Sequence, residues 1–168
     1  MNFLPWKIFR RIVDRCDGDH YAKSLTCADQ FRVMAAAQLT YRESLRDIEV
    51  CLSAQSSKLY HMGLRQEIKR SALAVANASR DWRIHEEFAQ HLIVQARKLY
   101  IGDSFGIDLG NTTYALDSTT NDLCMSLSPW ALFRTCKSAV KMHTLLDLRG
   151  NIPSFIHVSA GEPASWVM

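Results

Sequence analysis

The chain has 168 residues, of which 48% are hydrophobic and 22% are charged. This is the composition of a folded globular protein with one or two small domains, and it excludes an intrinsically disordered chain. No stretch of the sequence approaches the ~20 apolar residues of a membrane span, and the first residues lack the apolar run of a signal peptide. The net charge is +3, with +5 over residues 1–80 and −2 over residues 81–168. A basic front and an acidic rear suit a nucleic-acid-binding part joined to a carboxylate-bearing part.

The cysteines are odd in number and widely spaced, and no two of them form a C-x-x-C pair. This pattern argues against a disulfide framework or a zinc knuckle. It predicts reduced thiols in a cytoplasmic protein. The five residues are Cys16, Cys27, Cys51, Cys124 and Cys136.

Residues 1–100 are predicted to form a helical domain, because Pro is absent between Pro5 and Pro129 and Gly is sparse. A first helix is predicted to end near Leu39, with four residues at helical spacing on its buried face. Those four residues are Phe31, Met34, Ala35 and Gln38.

A second helix is predicted to begin directly afterwards. Thr40 and Glu43 have the spacing of a capping box, in which each side chain satisfies a backbone N–H at the helix start. Behind this box, an apolar stripe is supplied by Leu45, Ile48 and Leu52.

A break at Gly63 and a short helix that Ser71 caps are predicted next. Two helices, a turn and a short helix of small residues are typical of helix-turn-helix packing, in which the small residues allow close approach to a major groove. The candidate DNA-binding residues are Lys69, Arg70, Asn77 and Arg80. The alternative, which the pattern by itself favours, is an ordinary helical bundle with a solvated basic face.

The segment RIHEEFAQHLIVQARKLY predicts the clearest helix of the chain. The spacing of His85 and His91 fits no helical metal pair, so both are interpreted as surface or boundary residues. The apolar stripe of this helix is formed by Ile84, Phe88, Leu92 and either Ala96 or Leu99.

The pattern changes to β after a glycine-rich loop around residues 102–111. Strands are predicted over 112–118, 138–148 and 152–160, and Gly150-Asn151 predicts the turn of a hairpin between the last two. The first strand and the hairpin are separated by a long connection with an apolar anchor at Trp130–Phe133. The predicted order is therefore a helical domain, a strand, a long connection and a β-hairpin.

Asp117 is predicted at the end of the first strand, where a carboxylate can serve Mg²⁺ as an oxygen ligand. The alternative is that Asp117 caps a loop through the hydroxyls of Ser118 and Thr119. His143 and His157 face each other across the predicted hairpin and form part of a possible zinc or iron site, or are structural. Asp147, close to the turn, is interpreted as a solvated acid.

Five long segments resemble one family. They are AQLTYRESLRDIE, LSAQSSKLYHMG, ANASRDWRIHEEFAQ, YALDSTTNDLC and SAVKMHTLLDLRGNIPSFIH. In these segments the chain resembles bacterial insertion-sequence transposases of the DDE type, in the insertion-sequence-four group, whose members carry an N-terminal helical domain.

The resemblance implies an α+β chain with a helix-turn-helix-like DNA-binding domain over residues 1–100 and an incomplete ribonuclease H-like catalytic domain over residues 101–168. It implies that Asp117 is the first acid of the DDE triad, and that three carboxylates hold two Mg²⁺ ions for phosphoryl transfer on DNA. The implied partners are the terminal inverted repeats, target DNA, and a second copy or a full-length transposase, in the bacterial cytoplasm at the nucleoid.

The second Asp of the family lies in a D-R-G-Y-like strand and the Glu in a Y-x₂-R-x₃-E-x₆-K-like helix, and neither segment occurs in this sequence. The ending GEPASWVM therefore suggests a truncated product that is inactive by itself. A single carboxylate cannot hold two ions about 4 Å apart. Two further readings stay open: a DNA-binding fragment that represses transposition, and the remnant of a decayed element. The apolar faces of the strands predict exposed apolar surface, and with it a C-terminal part that is poorly stable by itself or self-associates.

Overall fold

The computed structural model describes residues 4–20, 22–100, 113–123, 132–134, 137–148 and 152–160. The chain forms two compact units, over residues 1–88 and 89–168. The first is helical and the second carries an antiparallel sheet, so the α+β class predicted from the sequence is confirmed. The predicted domain boundary after residue 100 coincides with the end of the last helix, whereas the division between the compact units falls after Phe88, within the sequence of that helix.

Among its described residues, the helical unit contains four α-helices, a 3₁₀ helix and the start of a fifth α-helix. In chain order they are α1 (Trp6–Arg15), α2 (Cys27–Leu39), α3 (Leu45–Ala54), a 3₁₀ helix (Ser56–Met62), α4 (Arg70–Ser79) and α5 (Arg83–Tyr100). The predicted break is confirmed, because Gly63 ends the 3₁₀ helix with φ of 80°. Glycine adopts this left-handed conformation without the steric cost that a Cβ would add.

Helix starts in this unit depend on side-chain caps at two places. Thr26 and Asp29 form a reciprocal capping box at the start of α2, and the hydroxyl of Ser44 accepts the N–H of Asp47 at the start of α3. The predicted box of Thr40 and Glu43 is wrong. Thr40 instead ends α2, where its hydroxyl donates to a carbonyl of the last turn, and the chain needs a further turn before α3 begins.

The core of the helical unit has an aliphatic and an aromatic part. In the aromatic part, each of the rings of Phe9, Phe31 and Phe88 contacts the other two, with ring centroids 4.8 to 5.5 Å apart. Edge-on and tilted contacts of this kind add to the free energy of area burial. The aliphatic part joins α2, the 3₁₀ helix and the α3–α4 pair, and contains Leu25, Val33, Ala37, Ile48, Leu52, Leu59, Leu64, Ile68, Leu73 and Ala76.

The predicted stripes of α3 and of the start of α5 are confirmed, with Ile48, Leu52, Ile84 and Phe88 buried. The buried residues of α2 are displaced by one position from the predicted stripe. The helix packs on the aliphatic part of the core with one side and on the aromatic part with the adjacent side. Its fully buried residues are Cys27, Gln30, Val33 and Ala37, while the predicted Phe31, Met34 and Ala35 are half-buried and Gln38 is exposed.

The three described cysteines, Cys16, Cys27 and Cys51, are free thiols, as the sequence predicts. Burial, together with a hydrogen bond to Asp19, raises the pKa of Cys27 to about 12. This thiol therefore stays protonated and behaves as a small core residue. Cys124 and Cys136 lie outside the described residues.

The second unit contains β1 (Tyr114–Leu123), β2 (Leu132–Arg134), β3 (Lys137–Asp147) and β4 (Ile152–Ala160). β3 is central and pairs antiparallel with each of the others. The predicted β3–β4 hairpin is confirmed, although Gly150-Asn151 lies outside the described residues. Part of the predicted long connection instead forms β2 and the end of β1, while its anchor residue Trp130 is outside the described residues.

The second half of α5 belongs to this unit. Gln90, Ile93 and Arg97 lie on one face of the helix at helical spacing. Gln90 donates to the backbone carbonyl of Ile156 over 3.2 Å, Ile93 is buried, and Arg97 lies 3.4 Å from a carboxylate oxygen of Asp147. These contacts attach the helix to β3 and β4.

Candidate functional site

The start of α4 gathers exposed positive charge. Lys69 is its N-cap residue and offers no side-chain cap. Instead the Glu49 carboxylate of α3 accepts the backbone N–H of Arg70 over 2.9 Å, which satisfies a donor that helix starts leave open. This bond brings the middle of α3 to the start of α4.

Arg46 lies one turn before Glu49 on the same face of α3. Arg46, Lys69 and Arg70 are all exposed. No ion pair in the described part of the chain engages any of the three. We call these residues the basic cluster; its free cations are of the kind that contacts phosphate oxygens.

The exposed face of α4 carries small side chains, as the sequence reasoning anticipated. Ser71, Ala74 and Ala78 are exposed, together with Val75 at 66%. Ser71 is not the predicted cap, because α4 begins one residue earlier. A face of this shape permits close approach of a flat or grooved partner.

Asn77 and Arg80, predicted with Lys69 and Arg70 as DNA-binding residues, both hydrogen-bond to a buried side chain of α2, although Asn77 is itself exposed. The side chain of Gln30, buried in α2, donates to Asn77 over 2.6 Å and accepts from Arg80 over 2.7 Å. The Arg80 guanidinium also donates to the carbonyl of Leu25 and lies 3.7 Å from Asp19.

The Arg80 side chain is 9% exposed. A guanidinium held in this way satisfies buried acceptors and fixes α4 to α2. The four predicted residues therefore differ: Lys69 and Arg70 are exposed cations, whereas Asn77 and Arg80 are hydrogen-bonded to Gln30. DNA binding by all four stays a prediction.

Sequence reasoning did not single out a further basic face on α1. Phe9, Ile12 and Val13 are buried on one side of this helix, and Lys7, Arg10 and Arg11 are exposed on the other. The signal was present in the sequence, because apolar and basic residues of α1 segregate at helical spacing.

Asp117 is the candidate metal ligand of the sheet. It is exposed and lies within β1, which continues to Leu123, so the prediction of a strand that ends at Asp117 is wrong. The strand continues because β3 is long enough to pair with all ten residues of β1. Thr119 donates its hydroxyl to the Asp117 carboxylate over 2.9 Å. The alternative expected a hydroxyl contact of this kind, but in a loop, whereas both residues lie within β1.

The sheet register defines the surroundings of Asp117. Directly paired residues of antiparallel strands share a face, and Asp117 is paired with Thr144. On that face the nearest neighbours along the two strands are Ala115, Thr119, Met142 and Leu146, none of which is an acid.

His143 and His157 face each other across β3 and β4, as predicted. Their ring centroids are 6.2 Å apart, and the Nε2 atom of His143 lies 3.2 Å from the hydroxyl of Ser159. Because His143 is next to Thr144 in β3, the histidine pair and Asp117 lie on opposite faces of the sheet. The described residues contain no cluster of three or more His, Cys, Asp or Glu that could hold a metal ion.

One other residue differs from its interpretation. Asp147 was expected to be a solvated acid, but it is 8% exposed and pairs with Arg97. His85, interpreted as a surface or boundary residue, is half-buried, as expected at a boundary, and stacks on Phe31. Desolvation, helped by the positive charge of Arg80, lowers the pKa of His85 below its ordinary value of 6.5.

No helix in the described parts of the chain is long and apolar enough to cross a membrane. Residues 1–65 match the model of a family described as a domain of unknown function, DUF4372, a domain often found at the N-terminus of transposases. The match covers α1, α2, α3 and the 3₁₀ helix and ends before α4. No curated protein and no solved structure matches the chain.

Proposed function

We propose that the chain acts in DNA transposition as part of a DDE-type transposase, with the helical unit binding DNA and Asp117 serving as a ligand of a catalytic Mg²⁺ ion. The observation that carries the proposal is the match of residues 1–65 to a domain often found at the N-terminus of transposases. The likeness of YALDSTTNDLC and SAVKMHTLLDLRGNIPSFIH to DDE transposases extends the proposal to the sheet and to its ribonuclease H-like identity.

DNA binding is supported by the basic cluster. Its three cations are exposed and unpaired within the described residues, and they lie beside a helix face of small side chains. Cations in this arrangement would neutralise phosphates and release counterions, while the small face lets the helix approach the duplex. Arg46 therefore joins Lys69 and Arg70 as a proposed DNA contact.

The Mg²⁺ part of the proposal rests on the chemistry of Asp117. Mg²⁺ takes one or two carboxylates together with substrate phosphates and water, and an exposed carboxylate on a strand fits one such position. The two-ion phosphoryl transfer of DDE enzymes needs further carboxylates. The face neighbours of Asp117 supply none, so the proposed role of this chain is one ligand of that set.

The DNA part is tested by fluorescence anisotropy with a duplex that carries the terminal inverted repeat of the encoding element, against a scrambled duplex. Affinity should fall steeply with salt. Each phosphate contact removed, by Arg46→Ala, Lys69→Ala or Arg70→Ala, should lower the slope of log K against log salt by about 0.9. Lys98→Ala, an exposed cation of α5, is the matched control and should leave the slope unchanged.

Absence of binding to either duplex at low salt would overturn the DNA-binding proposal. Equal slopes for the cluster variants and for Lys98→Ala would reject the basic cluster as the contact surface while leaving DNA binding itself intact.

A DNA-binding protein that represses transposition without catalysis is the second candidate. The observation that favours it is the set of Asp117 neighbours, which are threonine and apolar residues. A strand-nicking assay with Mg²⁺ on the inverted-repeat duplex tests whether this chain catalyses by itself. Nicking that Asp117→Asn abolishes would overturn repression without catalysis. Duplex binding without nicking, together with inhibition of an active transposase of the same element by the added chain, would support repression.

A further inference from the structure

A row of three side chains crosses the sheet on the face opposite Asp117. In this row Ser118 of β1 pairs with His143 of β3, and His143 pairs with His157 of β4. Side chains that are directly opposite in antiparallel strands have Cβ atoms about 4.5–5.5 Å apart. The register thus holds two imidazoles side by side on a surface that the proposed function does not use.

The spacing of the two rings suits a shared metal ion. Two imidazole nitrogens that each lie about 2.0–2.1 Å from one ion leave their ring centres roughly 5–6.5 Å apart, depending on the angle at the ion. The observed separation of the ring centroids is 6.2 Å. The two ring planes are inclined by 25°, so rotation about the side-chain bonds of both residues is needed to aim one nitrogen of each ring at a shared ion.

The Ser159 hydroxyl supplies an orienting contact for one ring. It lies 3.2 Å from Nε2 of His143, in the position of the hydrogen-bond partner that metal-binding histidines commonly have on their second nitrogen. In the tautomer that donates from Nε2, the lone pair of Nδ1 is available to an ion. His157 is exposed and gives an ion access from solvent.

We propose that His143 and His157 bind a transition-metal ion of the Zn²⁺ class, with water or a ligand atom at the remaining positions. Imidazole nitrogen suits Zn²⁺, Cu²⁺ and Ni²⁺, whereas Mg²⁺ takes oxygen. The site is distinct from Asp117 in both ion class and sheet face. Within the described residues no third His, Cys, Asp or Glu joins the pair, so the site leaves coordination positions open.

The test is a titration of the full chain with ZnCl₂ at pH 7.5, followed by NMR of the histidine rings and by calorimetry. The ring signals of His143 and His157 should shift together and saturate, and a tenfold excess of MgCl₂ should not move them. Loss of a direct ligand should weaken this binding by more than about 100-fold, the upper end of the cost of losing an outer-shell partner.

His157→Gln and His143→Gln should each remove the shared transition, while His61→Gln, an exposed histidine of the 3₁₀ helix, should keep it. Zinc that binds to cysteine thiols would appear equally in all variants and is subtracted by the comparison. Ring signals that stay in place in the wild-type chain, or equal calorimetric binding in all three variants, would overturn the proposal. The histidine variants should bind DNA with the same affinity as the wild-type chain. Failure of the metal-site proposal can therefore be distinguished from failure of the proposed function.

Discussion

The two units treat their apolar residues in opposite ways. In the helical unit Phe9 and Phe88 are 2% and 0% exposed and lie in contact with each other. In the sheet, Leu116 and Phe155 are 70% and 52% exposed, although both pair with Leu145 in one row across the strands. The apolar stripe of each helix is covered by other helices of the same unit. The apolar row on this face of the sheet is exposed, and exposed apolar patches mark sites of contact with another molecule.

The largest expected effect comes from breaking the closed core. Phe88→Ala removes the ring that touches both Phe9 and Phe31. It should lower the free energy of unfolding by about 3–5 kcal/mol, because the cavity cannot collapse fully. Urea denaturation followed by helical circular dichroism measures the change. A loss below 1 kcal/mol, on the order of a surface substitution, would contradict the closed-core description.

The second effect concerns the interior polar network. Arg80→Met removes the donors that satisfy Gln30 and the Leu25 carbonyl. Leaving these acceptors buried without partners should cost about 2–4 kcal/mol. Arg83→Met is the matched control, because the Arg83 side chain is 71% exposed and pairs at the surface with Asp81. Equal midpoints for the two variants in urea would show that Arg80 does not fix α4 to α2.

The third prediction concerns the exposed apolar face of the sheet. Leu116→Ser and Phe155→Ser remove apolar groups that solvent already reaches, so the free energy of unfolding should change by about 0.5 kcal/mol or less. Self-association should fall instead, since exposed apolar patches promote contacts between molecules. Sedimentation velocity over a range of concentrations measures this. Association that is unchanged in the double variant would exclude this face as its cause.

The smallest effect is a pH dependence confined to the helical unit. The pKa of His85 is lower in the folded chain than its ordinary value of 6.5, so the folded state favours the neutral ring. Above pH 6.5 the ring is neutral in both states and the stability is complete. As the pH falls below 6.5, the unfolded chain binds a proton that the folded chain does not, and stability is lost down to the folded pKa.

His85→Gln should therefore flatten the decline in stability between pH 6.5 and more acidic pH, measured by urea midpoints across a pH series. His61→Gln, at an exposed position, is the control and should keep the wild-type slope. A slope that His85→Gln leaves unchanged would assign the pH dependence to other groups.

Local patterns predicted the elements well where a segment has one dominant period. The strand over 152–160 has the predicted bounds, and the end of α2 at Leu39 and the stripe of α3 are as predicted. Boundaries that depend on competing caps were predicted less well. Thr40 has the sequence signature of a helix start, yet its hydroxyl closes the preceding helix, and a linear pattern does not say which of two adjacent helices a threonine serves.

The candidate sites also differ in whether local sequence pattern or tertiary contacts determine them. The pairing of His143 with His157 follows from strand period and turn position, both of which are local. The exposure of Lys69 and Arg70, the interior position of Arg80 and the contribution of Arg46 depend on contacts between α2, α3 and α4 that no spacing encodes.

The sequence by itself determined the order of helices and strands, because backbone propensity and hydrophobic period act over a few residues. It also determined which residue types are available for phosphate and metal contacts. The tertiary structure decided which of those residues are free to act. Burial and hydrogen bonding between distant segments engaged Arg80 in the interior, left Lys69 and Arg70 in solvent, and put Asp117 and the histidine pair on opposite faces of one sheet.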